Sequence, residues 1–147
     1  MARDDILEII DDFELLGDWD SRYQYLVEIG ERLAPMPAAD KIEANRVREC
    51  MSIVHVAARA ADGATPPRLA YSGDCDTAII KGVVALLVRL YSGKTPGEIE
   101  ATDADALFAG LHLDEHLSPN RHVGVYAIVE KMRRQARDFA SAHPERT

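Results

Sequence analysis

The side chains of this 147-residue chain best suited to nucleophilic or metal chemistry are two cysteines, Cys50 and Cys75, and five histidines, His55, His112, His116, His122 and His143. Cys50 ends a proline-containing loop, directly before a β-branched run and after the polar stretch Asn45-Arg46-Val47-Arg48-Glu49. A cysteine that only fills a core usually lies inside an apolar stripe. One at a loop end can present a thiolate, the nucleophilic form. Two readings therefore fit Cys50, a reactive thiol or a cysteine tucked into the core. Cys75 precedes an expected helix start and shares that ambiguity, since the backbone donors and dipole of a helix N-terminus would favour its thiolate. His112 and His116 stand four apart, but a pair falls short of the ligand number a zinc site uses, so they read as surface residues. A glycine-rich phosphate loop, zinc-finger cysteine spacing and a G-x-S-x-G elbow are all missing, which removes the common cofactor enzymes and α/β hydrolases.

These side chains must be held by elements that the apolar spacing sketches. Ile6, Ile9, Ile10, Phe13 and Leu16 recur at helical spacing and predict a helix over Asp4–Leu16, ended by Gly17. A second helix is expected from Asp18 to about Leu33. Trp19, Tyr23, Leu26, Val27 and Gly30 would form its inner face, with Arg22, Glu28 and Glu31 in water. Pro35 and Pro37 stop helix formation and make residues 34–49 loop-rich. The run Ser52–Arg59 reads as a strand, Ala61–Pro67 as a turn, and Arg68–Ser72 as the second strand of a hairpin. Gly73-Asp74-Cys75-Asp76 then punctuates the chain, and Asp74 or Asp76 could cap a central helix through Ile79, Ile80, Val83, Val84, Leu87 and Leu90. Thr95-Pro96-Gly97-Glu98 has the form of a capping box, Asp103 opens another short helix, and Ser118-Pro119 opens the last.

Helices, a small antiparallel sheet, then helices again predict an α+β fold in two layers, the sheet packed against several helices. One domain over residues 1–147 is expected, with 142–147 a disordered tail. The net charge of −8 disfavours nucleic acid, because little here would replace the counterions of a phosphate backbone. The most apolar run, Ala78–Leu90, is broken by Lys81 and Arg89 and is too short to span a membrane. With two cysteines and no secretory pattern, the reducing cytoplasm is the expected compartment.

The stretch Asn45-Arg46-Val47-Arg48-Glu49-Cys50-Met51-Ser52-Ile53-Val54-His55 resembles the cysteine motif of the SufE family, in which an asparagine precedes a C-x-S-x-V segment leading into a strand. Gly73-Asp74-Cys75-Asp76 with Ala78-Ile79-Ile80-Lys81-Gly82, then Leu117-Ser118-Pro119-Asn120-Arg121 and Gly124, follow in the family's order. Trp19, Tyr23, Leu26, Gly30 and Leu33 look like its opening segment, so the resemblance runs from about Ile6 to Phe139. It implies a sulfur acceptor serving iron–sulfur cluster assembly. The donor would be a SufS-like, pyridoxal-phosphate-dependent cysteine desulfurase, and a Suf scaffold complex is a candidate further partner. Cys50 would carry the sulfur, with no cofactor or metal on this chain. Glu49, Met51 and Ser52 would flank the transfer, and Asp76 and Arg121 would lie on the supporting and partner-facing surface.

Several positions depart from that pattern. Glu49 stands where the family usually has glycine, Met51 where it has glutamine or another small or polar residue, and His55 near the place of a tryptophan. Glu49 sets a carboxylate beside the sulfur and a Cβ where glycine would permit freer backbone angles. Cys75 replaces a small residue and supplies a second thiol that the family chemistry does not require.

Overall fold

The computed structural model describes residues 2–61 and 67–142. The chain begins with α1 (Ala2–Leu16) and α2 (Trp19–Glu31), then two short 3-10 turns (Ala38–Asp40 and Glu43–Asn45). A hairpin of β1 (Val54–Ala60) and β2 (Leu69–Cys75) follows. After it come α3 (Ala78–Tyr91), α4 (Pro96–Ala101), α5 (Ala104–Gly110), α6 (Leu113–His116) and α7 (Pro119–Ala142). This is the expected α+β arrangement, a small antiparallel sheet against helices. The expected tail lies outside the described residues except for Ala142, which ends α7.

Local chemistry accounts for most of the boundaries. Gly17 takes a φ of 78°, the left-handed turn that separates α1 from α2. Asp18 caps α2 by accepting from the Ser21 amide at 2.8 Å and hydroxyl at 2.9 Å. Those hydrogen bonds hold its carboxyl below the usual carboxylate value. The capping box of α4 is complete: the Glu98 amide donates to Thr95 Oγ1 at 3.2 Å and the Thr95 amide donates to Glu98 Oε1 at 2.9 Å. Asp103 caps α5 as expected.

α3 is the hub, packed on α2, β2, α1 and α7. Its burial runs without a break from Gly82 to Leu87, a broad apolar face. α2 crosses it at two glycines. A Cβ on Gly30 would lie 2.8 Å from the Gly82 amide nitrogen, and one on Gly82 would run into the Leu26 carbonyl.

Arg22 is not in water as the helical wheel suggested; it is buried. Its Nε donates to the Phe13 carbonyl at 2.7 Å, in the last turn of α1, and its guanidinium stacks 5.2 Å from the centre of the Trp19 ring.

The hairpin pairs Val54 with Cys75 at its open end and Ala60 with Leu69 at the other. The Ala61 amide donates to the Arg68 carbonyl at 2.7 Å, and residues 62–66 of the expected turn fall outside the described residues. β2 runs three residues beyond the expected Ser72, through Gly73-Asp74-Cys75. Gly73 is no breaker there: it lies opposite Val56, and a Cβ on it would stand 2.7 Å from Val84 Cγ1. The strand needs glycine because α3 lies against it. Cys75 therefore ends a strand and does not open a helix. Neither Asp74 nor Asp76 caps α3; Thr77 occupies the N-cap position, without a side-chain capping bond.

Candidate functional site

The cysteine loop is pinned at both ends to the hairpin. At its start the Val47 amide donates to the Val54 carbonyl at 2.9 Å, next to an antiparallel bridge between Arg46 and His55. At its finish Asp76 closes a two-bond clamp: its Oδ1 accepts from the Ile53 amide at 2.9 Å and its own amide donates to the Ile53 carbonyl at 3.2 Å. Ser52 Oγ and Thr77 Oγ1 share a hydrogen bond of 2.6 Å beside the clamp.

Within the loop the side chains divide sharply. Cys50 turns inward and is 8% exposed, whereas Met51 is 82% exposed. The space that receives the thiol is made by a missing methyl group on α7: a Cβ on Gly124 would stand 2.8 Å from Cys50 Sγ and 3.2 Å from its Cα and Cβ. Beside the thiol opens a cleft of about 340 Å³. Cys50, Met51 and Ser52 line it from the loop, Asp76, Thr77 and Ile80 from the start of α3, and Ser118, Asn120 and Arg121 from the start of α7.

Five of the six residues expected at the site, Cys50, Met51, Ser52, Asp76 and Arg121, thus meet in one place. Glu49 does not; it is exposed on the loop, outside the cleft. Arg121 makes no salt bridge among the described residues, and its amide donates to Ser118 Oγ at 3.4 Å. Arg48 is occupied by Glu43. Thr77, Ile80 and Asn120 were not singled out beforehand as site residues. Gly124 was noted only as part of a motif, and its position one turn after Arg121 was the available signal.

Cys75 lies in the same buried cluster as Cys50 and is 7% exposed. Burial first, with smaller contributions from Cys50 and Asp76, pushes its thiol up to about 11, although the Thr77 amide donates to its sulfur at 3.4 Å. The expected lowering by a helix start is overturned because the residue sits in a strand, away from water. Asp74 goes the other way: burial is outweighed by Lys41, the Cys75 amide and Lys81, and its carboxyl is held below the usual value. Lys41 reaches it at 2.8 Å and Lys81 at 3.4 Å. The histidine pair splits. His112 Nε2 meets Glu14 Oε1 at 2.8 Å, while the His116 ring stacks on Trp19 at 3.7 Å.

A family model described as SufE, Fe-S metabolism associated domain, matches residues 7–136. The chain belongs to the SufE family. The family's description ties it to iron–sulfur metabolism. An uncharacterized SufE-like protein of Rhizobium meliloti is 36% identical over 129 residues, covering 88% of this chain and 92% of that protein. Another, from Rhizobium etli, is 36% identical over 135 residues, covering 92% of this chain and 91% of its own length. The solution structure of a hypothetical protein from Thermus thermophilus shares the fold, with a TM-score of 0.72, 22% identity and coverage of 92% of this chain and 96% of that one. No helix among the described residues is long and apolar enough to cross a membrane.

Proposed function

We propose that the protein is a sulfur acceptor and activator for a cysteine desulfurase, taking a persulfide sulfur onto Cys50 for iron–sulfur cluster assembly. The observation that carries this reading is the seating of Cys50: a thiol on a short loop, held inward over Gly124 at the edge of an open cleft. The reaction asks little else of the chain. The Cys50 thiolate attacks the outer sulfur of the desulfurase's cysteine persulfide. A new S–S bond forms on Cys50 and the desulfurase thiolate leaves with the electron pair of the broken one. The pyridoxal phosphate belongs to the donor, and no cofactor is assigned to this chain.

At 8% exposure the thiol is sheltered when the protein is alone, so transfer requires the loop to turn out toward the partner. The surface around the loop suits a protein partner, since Met51 in the cleft lining, Ile53 further along the loop at 47% and Val123 near the start of α7 at 61% expose apolar side chains. Asp76 holds the loop's end, and Arg121 offers a guanidinium, free of carboxylates among the described residues, for the docked desulfurase. Glu49, Met51 and Ser52 would be carried into the interface with the turned-out loop. A SufS-like desulfurase is the donor this reading names, with a Suf scaffold complex as a further partner in the cytoplasm.

The test is direct. Incubated with a cysteine desulfurase and L-cysteine, the protein should gain about one sulfur in mass, mapped to Cys50, as persulfide exchange requires. Cys50→Ser should gain none. A parent protein that stimulates or binds the desulfurase without gaining mass would instead be a regulatory partner, and the transfer reading would fall.

A further inference from the structure

We propose that Cys75 is a resolving thiol: it attacks the inner sulfur of a Cys50 persulfide, closing a Cys50–Cys75 disulfide and expelling hydrosulfide. The proposal rests on the reading that Cys50 carries sulfur, and it concerns sulfur that is not passed on.

Both cysteines of the chain are buried, Cys75 at the end of β2 and Cys50 four residues before β1 begins. Cys75 pairs with Val54 in the sheet, and the adjoining residues Asp76 and Ile53 are clamped by two hydrogen bonds. Ser52, two residues after Cys50, shares a 2.6 Å hydrogen bond with Thr77, whose amide in turn donates to Cys75 Sγ at 3.4 Å. The loop end that carries Cys50 is therefore fastened to the turn that carries Cys75. Transfer from a desulfurase to Cys50 leaves Cys75 unused.

The step balances without an outside oxidant. The Cys75 thiol gives up its proton, directly or through solvent, to the outer sulfur of the Cys50 persulfide, and its thiolate attacks Cys50 Sγ. The bond between Sγ and the outer sulfur breaks, and that sulfur leaves as hydrosulfide with the electron pair. The Cys75 sulfur rises from thiol to disulfide level while the outer sulfur falls from persulfide to sulfide level, and Cys50 Sγ keeps its oxidation state. The product fastens Cys50 to the sheet, so the loop cannot turn out until a thiol reductant reopens it.

The step is slow by construction. With the Cys75 thiol at about 11, its thiolate fraction at pH 7 is on the order of 10⁻⁴. A Cys75 thiolate this scarce makes resolution slow, so it acts on sulfur left waiting. Cys50 on the loop and Asp76 at the strand end both disfavour the Cys75 thiolate. Of the nearby cations, Lys81 of α3 is engaged by Asp74, and Arg121 of α7 lines the cleft.

The experiment loads the reduced protein with inorganic polysulfide, removes the excess, and follows intact mass and released sulfide from pH 7 to 10. The parent should convert from a species heavier by about 32 Da, one sulfur, to one lighter than the reduced protein by about 2 Da, one disulfide, with one hydrosulfide released. Peptide mapping should show Cys50 joined to Cys75. Cys75→Ser and Cys75→Ala should both hold the added sulfur at least tenfold longer. If the added sulfur is lost equally fast from parent and variants, with no species lighter by about 2 Da, the proposal is overturned. Chemical loading separates the two readings. Failure of a desulfurase to load Cys50 sinks the acceptor function alone, while a loaded Cys50 that never closes onto Cys75 sinks only the resolving thiol.

Discussion

The crossing of α2 over α3 and the contact of the cysteine loop with α7 are built on the same device, a glycine where a Cβ would collide, yet they serve opposite ends. At Gly30 and Gly82 the groups that would be struck are backbone: the Gly82 amide, 2.8 Å from a Cβ on Gly30, and the Leu26 carbonyl. Neither can move without parting two helices. At Gly124 the nearest atom is the end of a side chain, Cys50 Sγ at 2.8 Å, on a loop tied down only at its ends. The first close approach locks the frame. The second makes a seat that its occupant can leave.

Filling the locked crossing should have the largest effect. Gly82→Ala sets a methyl against a backbone carbonyl and should cost about 3 kcal/mol in denaturant unfolding, the upper part of the usual overpacking range. A cost within a few tenths of a kcal/mol of zero would show that the helices slide apart easily, and the contrast would fail. Gly124→Ala should cost only about 1 kcal/mol, because the loop can yield and alanine is the better helix residue. Iodoacetamide labelling of Cys50, on a Cys75→Ala background, should become about fivefold faster, the ratio that about 1 kcal/mol of weakened seating gives. Unchanged labelling with a loss of stability as large as that of Gly82→Ala would make the loop as rigid as the helix crossing.

A pH-dependent effect concerns Cys75, which belongs to the fixed side of the site. Its thiol is raised from 9.0 to about 11, so between those values the folded protein holds a proton that the unfolded chain has released. The associated stability is fully present below about pH 9 and is lost as pH rises toward about 11. Unfolding at pH 8 and pH 10.5 should show a larger loss for the parent than for Cys75→Ala, which should still accept sulfur on Cys50 as fully as the parent. Equal losses would mean that Cys75 is not held as a neutral thiol.

Much of this was legible in the sequence, and what was not has identifiable causes. Thr95 and Glu98 announced their capping box because both partners are local, and Ser118-Pro119 marked the start of α7 for the same reason. The extension of β2 through Gly73 was hidden because glycine reads as punctuation unless the helix that presses on it is known. Arg22 looked like a wet charge; its acceptor, the Phe13 carbonyl, is nine residues away across a turn. Asp76 was expected at the site, but as a possible helix cap; its clamp on Ile53 spans 23 residues. His112 adopts a φ of 58° ahead of α6, a short helix that no spacing rule marks. The family resemblance gathered Cys50, Asp76 and Arg121, yet it could not show that Glu49 points away from the cleft they line.

The two pins of the cysteine loop also set a length scale. Cys50 is three residues from Val47 and three from Ile53, so it hangs at the midpoint of a tether fixed at both ends. Three residues of fully extended chain reach about 10 Å. On the proposed function, a sulfur donor would have to bring its persulfide within that arc of the hairpin, whereas one recessed at the bottom of a deeper shaft would be met only by a chain that had first let go of Val54 or Asp76.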